Sequence, residues 1–216
     1  MTTNKNHWYD GWFYDKLIAP NQDQLFGQIR NLVDADSLII DVGCGTGRLA
    51  FSLANKCKSV LGIDLSKRNI DRANLTLNQN PDSKISFQNS DIEEIINKGQ
   101  IHFDYAVLTY VIHEVNEEER MNLLKEISRV ADKIIIGDYL VPKPKGFRSY
   151  LSEIIEFIAG AEHYRNYKSF VANGGIKYLA NKTELKIINE ISNLPLTNHI
   201  IILSKSDTNT SFRQQP

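Results

Sequence analysis

The sequence predicts an α/β fold: a mostly parallel sheet with helices on both faces, closed by an antiparallel last strand. Three observations predict it. Residues 38–47, Leu-Ile-Ile-Asp-Val-Gly-Cys-Gly-Thr-Gly, read as a buried strand running into a glycine turn, with helically spaced Leu49, Ala50, Leu53 and Ala54 behind it. Apolar strand-length runs then alternate with amphipathic helical stretches up to Asp138, the order that builds parallel βαβ units. The last two strand-like runs, 185–192 and 199–204, are joined by Asn193-Leu-Pro-Leu-Thr-Asn198, a loop short enough to permit only an antiparallel hairpin.

The elements follow in order. Pro20 and Asn21 open a helix with Leu25, Ile29, Leu32 and Val33 on one face. The second strand covers 58–64, and Ser66 is placed as N-cap of a helix that turns Ile70, Ala73 and Leu77 inward. A short third strand alternates over 85–87, a helical turn spans 91–97, and the fourth strand spans 103–108. Asn116-Glu-Glu-Glu119 reads as a capping box whose acids also suit a helix N-terminus. Met121, Leu124, Ile127 and Val130 supply that helix's buried stripe, and 133–138 is strand five. A proline-rich connector at 141–146 breaks the alternation. Two helices are expected after it, 150–160, amphipathic with Leu151, Ile154, Ile155 and Ile158 on one side, and 163–173 ending at Gly174-Gly175.

A chain of 216 residues with 42% hydrophobic and 24% charged side chains has room for one globular domain. With 25 basic and 26 acidic residues it has no basic face for nucleic acid, so DNA is not an expected partner. No apolar run reaches membrane-spanning length, and the start of the chain lacks the apolar stretch of a signal peptide. Two cysteines, Cys44 and Cys57, suit a reducing compartment better than a disulfide framework. The expectation is a cytoplasmic protein, monomer or homodimer, without membrane contact. Histidines and acids are too scattered for a metal site to be proposed by spacing.

Two ligands compete for the glycine turn. Gly45-Thr-Gly47-Arg-Leu-Ala50 fits the dinucleotide fingerprint, and Asp64 follows at roughly the required 20 residues. Asp41, however, ends the strand where a dinucleotide would lay its pyrophosphate. A carboxylate there repels phosphate and attracts a ligand carrying ammonium and sulfonium groups.

Four segments in order then carry a family resemblance. Ile39-Ile-Asp-Val-Gly-Cys-Gly-Thr-Gly47, Leu61-Gly-Ile-Asp-Leu-Ser66, Asn89-Ser-Asp-Ile92 and Phe103-Asp-Tyr-Ala-Val-Leu-Thr-Tyr-Val-Ile-His-Glu-Val115 resemble the motifs of class I S-adenosylmethionine-dependent methyltransferases of the small-molecule type. The resemblance implies a Rossmann-like, seven-stranded sheet of order 3-2-1-4-5-7-6 in a single domain over 1–205. It also implies a lid at 1–20 and a helical insertion over the active site at 143–175, with 206–216 as a disordered tail. The implied cofactor is S-adenosylmethionine, with S-adenosylhomocysteine as product. Its implied binding set is Tyr14, Asp41, Gly43, Cys44, Gly45, Gly47, Asp64, Leu65, Asp91, Ile92 and Thr109. Bottom-up chemistry agrees for two of these. Asp64 has two acceptor oxygens for the ribose hydroxyls, and Asp91 can accept from an adenine amino group. The aromatic stretch His7-Trp-Tyr-Asp-Gly-Trp-Phe-Tyr-Asp15 makes Tyr9 and Tyr14 the lid candidates.

Methyl transfer is mostly positioning and exclusion of water, with a base where the acceptor must lose a proton. His113, Tyr110, Tyr139 and His163 are the catalytic candidates, with Glu114, Asp138, Tyr164 and Thr109 beside them. His113 leads because imidazole titrates near working pH. Thr109-Tyr-Val-Ile-His stands where the amino-methylating DNA enzymes carry Asn/Asp-Pro-Pro-Tyr/Phe. A Pro-Cys pair and a paired-glutamate loop are also absent from the sequence. The acceptor is therefore expected to be a small molecule. An NAD-dependent oxidoreductase and a non-catalytic S-adenosylmethionine-binding protein are the alternatives.

Overall fold

The computed structural model of the chain describes residues 19–99, 101–193 and 197–205. Tyr9 and Tyr14, nearly all of the expected lid and the expected disordered tail lie outside these residues. The elements are α1 (Ala19–Leu32), β1 (Leu38–Val42), α2 (Arg48–Leu53), β2 (Ser59–Asp64), α3 (Lys67–Gln79), β3 (Ile85–Asn89), α4 (Ile92–Lys98) and β4 (Phe103–Thr109). They continue with α5 (Glu117–Val130), β5 (Ala131–Tyr139), α6 (Phe147–Ala159), α7 (Ala161–Ala172), α8 (Gly175–Lys182), β6 (Leu185–Ser192) and β7 (Asn198–Lys205).

The seven strands form one sheet of order β3-β2-β1-β4-β5-β7-β6. Pairings among β1 to β5 are parallel, and β7 runs antiparallel to both β5 and β6. Strand alternation sorts the core into two layers. Ile39, Val107, Ile135 and Ile200 point to the side covered by α1, α2 and α3. Ile40, Ala106, Leu108, Ile136 and Ile201 point to the side covered by α4, α5, α7 and α8. Chain order reverses between β1 and β4, so a crevice opens above their carboxyl ends. Every motif quoted above ends at that rim.

Caps form at Ser66 and Asn116, where the sequence places them, and also at Asp91. Ser66, Asp91 and Asn116 each accept a hydrogen bond from the backbone N–H three residues on. Among the described residues no helix is long and apolar enough to cross a membrane.

One expectation is corrected. A third helix, α8, follows the Gly174-Gly175 break, and it packs Ile176, Leu179 and Ala180 into the core. Helix α6 turns its polar side inward. Ser149, Ser152 and Glu156 are its buried side chains, while Leu151, Ile154 and Ile158 face water. The three polar residues are spaced i, i+3, i+7, one stripe of the helix. Each has a partner: Ser149 donates to the Pro144 carbonyl, Ser152 bonds Thr197, and Glu156 accepts from Tyr139. Leaving those groups buried and unpaired would cost more than exposing the aliphatic side chains.

Candidate functional site

The glycine turn is held from below by β2: the N–H groups of Gly43 and Cys44 both donate to the Ile63 carbonyl, at 2.8 and 3.0 Å. Gly43 has φ +72°, and a Cβ there would stand 2.4 Å from Cγ2 of Val111. The turn following β4 therefore lies directly against the turn following β1. Gly45, at φ +55°, has no atom within 4 Å of where its Cβ would be, so the turn presents bare backbone to the crevice.

Two carboxylates flank this cradle. Asp64 at the end of β2 accepts from Gly45 N–H at 2.8 Å through one oxygen and from Ser66 N–H at 2.7 Å through the other. Asp41 is fully buried, and neither of its oxygens has a hydrogen-bond partner. Burial and the neighbouring Asp64 push its carboxyl up to about 7. A positive charge brought against the turn relieves this arrangement; a pyrophosphate would aggravate it. The pocket thus fits a sulfonium amino acid better than a dinucleotide.

The remaining expected contacts divide. Leu65 is 61% exposed beside Asp64, an apolar surface for the face of a purine. Asp91 is exposed at the same rim and uses one oxygen to cap α4, accepting from Glu94 N–H. Ile92 is buried in the core, so only its backbone faces the rim, and Cys44 is buried beneath the turn. Burial drives the Cys44 thiol far above its ordinary range, which makes it a packing group. Thr109 is half-buried at the end of β4.

Beyond Thr109 the backbone turns sharply. Tyr110 takes φ +56°, an uncommon conformation for an aromatic residue, and its hydroxyl accepts from the Asn198 amide at 2.8 Å. That turn aims His113 into the protein. The imidazole is buried; Nδ1 lies 2.7 Å from Asp138 and Nε2 lies 3.5 Å from Glu156. Tyr139 also donates to Glu156, at 2.7 Å. The rings of Tyr110, Tyr139, Tyr167 and Phe170 surround the imidazole edge-on. Burial alone would lower the His113 pKa, but the two carboxylates override it and hold the group well above its usual value. His113 and Tyr139, both expected as catalytic groups, are buried here with carboxylates at hydrogen-bond distance.

The neighbouring Glu114 is different. Its side chain is 47% exposed, 3.8 Å from Nδ1 of His163 at the start of α7. The carboxylates of Glu156, Asp138 and Asp64 favour its protonated form, against the pull of His113. His163, an expected catalytic residue, sits beside Glu114 and also acts electrostatically on Glu156 of the His113 cluster.

Two residues of this site were not anticipated. Glu156 belongs to the buried polar stripe of α6, and its i, i+3, i+7 polar spacing was the available signal. Arg120 is buried in α5 and donates to the Val115 carbonyl at 2.9 Å, to the Asn166 carbonyl at 2.5 Å and to Ser169 at 3.2 Å. It ties the turn after β4 to α7. Nothing in an acidic capping sequence marks the arginine that follows as interior.

Comparison with known proteins bears on the same residues. Residues 39–133 match the family described as "Methyltransferase domain". The chain is 31% identical over 159 residues to a ubiquinone biosynthesis O-methyltransferase of Rickettsia bellii, covering 71% of this chain and 63% of that protein. It is 33% identical over 98 residues to the O-antigen chain terminator bifunctional methyltransferase/kinase of Escherichia coli, covering 44% of this chain and 14% of that protein. Among solved structures, magnesium protoporphyrin IX methyltransferase from Synechocystis PCC 6803 with bound S-adenosylhomocysteine superposes with a TM-score of 0.64. That likeness covers 92% of this chain and 91% of the other at 20% identity, and it speaks for the fold. The family match begins in β1 and ends in β5, across the reversal in strand order that opens the crevice, so the half of the sheet that builds the glycine turn is similar to a methyltransferase domain and the strand order is that of the class I methyltransferase fold.

Proposed function

We propose that this protein transfers a methyl group from S-adenosylmethionine to a small-molecule acceptor. The observation that carries the reading is Asp41, a buried carboxylate without a hydrogen-bond partner beneath a turn of bare backbone. In this reading Asp64 holds the ribose hydroxyls, Leu65 and Asp91 border the adenine, and the turn from Gly43 to Gly47 receives the amino-acid portion. Bound there, S-adenosylmethionine supplies an electrophilic methyl group. The protein positions the acceptor and sheds water from the crevice, with the helices of 143–175 as roof and residues 1–20 as lid. Where the acceptor must lose a proton, Glu114 is the accessible carboxylate on the turn after β4 to take it. Replacing it, as Glu114→Gln, is expected to depress turnover by 10²-fold or more while cofactor affinity stays within about twofold of wild type. Full activity in that variant would return the proton to solvent.

The reading is tested by parallel calorimetric titration with S-adenosylmethionine, S-adenosylhomocysteine and NAD. Binding of the first two without NAD is expected; binding of NAD alone would overturn it. The affinity for S-adenosylmethionine carries a pH signature. Below about 7 Asp41 is protonated in the empty protein, and a cationic ligand must expel that proton. Affinity is therefore expected to rise up to tenfold per pH unit until pH 7 and then level. Titrations in buffers of different ionisation enthalpy would register the released proton, and Asp41→Asn should abolish the release.

A further inference from the structure

Tyr110 holds a left-handed backbone conformation, φ +56°, that an aromatic residue does not choose by itself. Such a residue persists only where its surroundings over-determine it. Part of the constraint is near at hand. Its N–H donates to the Gly137 carbonyl at 2.8 Å, and its ring packs against both layers of the core, edge-on to Tyr139 at 5.7 Å. The rest comes from far along the chain.

Asn193 and Asn198 stand at the two ends of the β6–β7 connector, and both are buried. Strand register sets Asn198 beside Tyr139, at the same rim of the sheet as the turn after β4. Gln28 of α1 and Asn193 form a reciprocal amide pair. Nε2 of Gln28 donates to Oδ1 of Asn193 at 2.7 Å, and Nδ2 of Asn193 donates back to Oε1 of Gln28 at 2.8 Å. Nδ2 of Asn193 also donates to Oδ1 of Asn198, and Nδ2 of Asn198 donates to the Tyr110 hydroxyl, each at 2.8 Å. A carboxamide accepts at one end and donates at the other, so turning one of these amides over would set like against like on both its sides. A buried chain of bonds satisfied in this way specifies one arrangement. The turn that it holds is also the turn that backs the cradle: Val111, the next residue, carries the methyl group that a Cβ on Gly43 would meet at 2.4 Å.

We propose that Asn193 and Asn198 are positioning residues of the cofactor site. Through the Tyr110 hydroxyl they hold the left-handed turn, and with it Val111, against the glycine turn, so that the bend at Gly43 is set from α1 and the β6–β7 connector. The consequence for cofactor affinity rests on the methyltransferase reading; the hold on the turn does not.

The experiment compares wild type with Asn198→Ala, Tyr110→Phe and the two combined. Thr197→Val serves as control, since it disturbs the same connector by removing the bond to Ser152. Hydrogen exchange is read at the Tyr110 amide and affinity for S-adenosylmethionine by calorimetry, with a circular-dichroism melt for folding. In both single variants the Tyr110 amide should exchange at least tenfold faster than in wild type, while the Val107 amide within β4 keeps its rate. Affinity should fall at least fivefold in each. The double variant should stay within twofold of Asn198→Ala, because one bond joins the two residues. Thr197→Val should match wild type in both readouts. Unchanged exchange at Tyr110 in Asn198→Ala would overturn the proposal, as would losses of affinity that multiply in the double variant. A Thr197→Val as weak as Asn198→Ala would overturn it too, assigning the effect to the connector as a whole. A faster Tyr110 amide with full affinity would reduce the amides to structural support and sink the positioning role. Failure of wild type to bind S-adenosylmethionine would overturn the methyltransferase reading instead, and the exchange rates would still decide the hold on the turn. If Asn198→Ala melts without cooperativity, Tyr110→Phe, which removes a single oxygen, carries the same expectation.

Discussion

Asp138→Ala is expected to destabilise the protein by about 3–5 kcal/mol, the usual cost of removing one member of a buried ion pair. For a chain of this length that lowers the melting temperature by roughly 10 °C. The reason is the position of His113. Asp138 supplies its 2.7 Å partner and, through the second oxygen, accepts from the His113 backbone N–H at 3.3 Å. Without it a charged imidazole stays buried with only Glu156 at 3.5 Å to compensate. The pH dependence has a definite sign. His113 is held above its unfolded value, so the pair's contribution is complete below about 6.5 and is lost as pH rises through the raised pKa. The gap between wild type and variant should therefore be widest in mild acid and narrow in alkali. A melting difference independent of pH would mean that His113 is neutral in the folded protein. Asp138→Asn separates charge from shape, since the amide keeps an acceptor for the imidazole N–H and should recover part of the loss.

The largest effect on binding is expected from Asp64→Ala. This one side chain fastens both Gly45 N–H and Ser66 N–H, so its removal loosens the glycine turn and the start of α3 as well as the ribose contact. Affinity for S-adenosylmethionine should fall at least 100-fold, about 2.8 kcal/mol. Asp91→Ala is the natural comparison, because the hydrogen bond it accepts from Glu94 N–H is a helix cap worth ~1 kcal/mol. Asp64→Ala carries a second signature. Asp64 helps to raise Asp41, so the pH at which affinity levels off should move below 7 in the variant. Titration at several pH values measures both effects. Unchanged affinity would show that the ribose lies elsewhere.

Much of this was legible in the sequence because it is local. A strand, glycines with positive φ and a following amphipathic helix are written in adjacent residues, and so are caps such as Ser66 and Asn116. The antiparallel closure was legible from the length of one connector. Asp41 stood out by a mismatch, an acid where a phosphate would otherwise rest. What escaped depends on partners distant in the chain. The pattern of α6 marks an apolar and a polar side without saying which is covered, and the polar side is, because Glu156 is claimed by Tyr139 and His113 from two different strand ends. His113 itself has the right residue type at the right loop for a base. Its direction is set by Tyr110's left-handed turn and by Asp138, 25 positions further on. Arg120 reads as a surface charge until α7 folds over it. Side-chain direction at loop tips is a tertiary property, and single-sequence periodicity does not encode it.

Asp41 also bears on how long the protein survives. An acid that sits unpaired in the empty crevice weakens the folded state at any pH where it ionises there, and a bound cation removes that handicap. Ligand at 100 times its dissociation constant adds about 2.7 kcal/mol of its own. The empty chain is consequently the form that opens more often and meets proteases more often. Cellular abundance of such a protein would follow the supply of its methyl donor, so that starvation for the cofactor thins out idle copies before working ones.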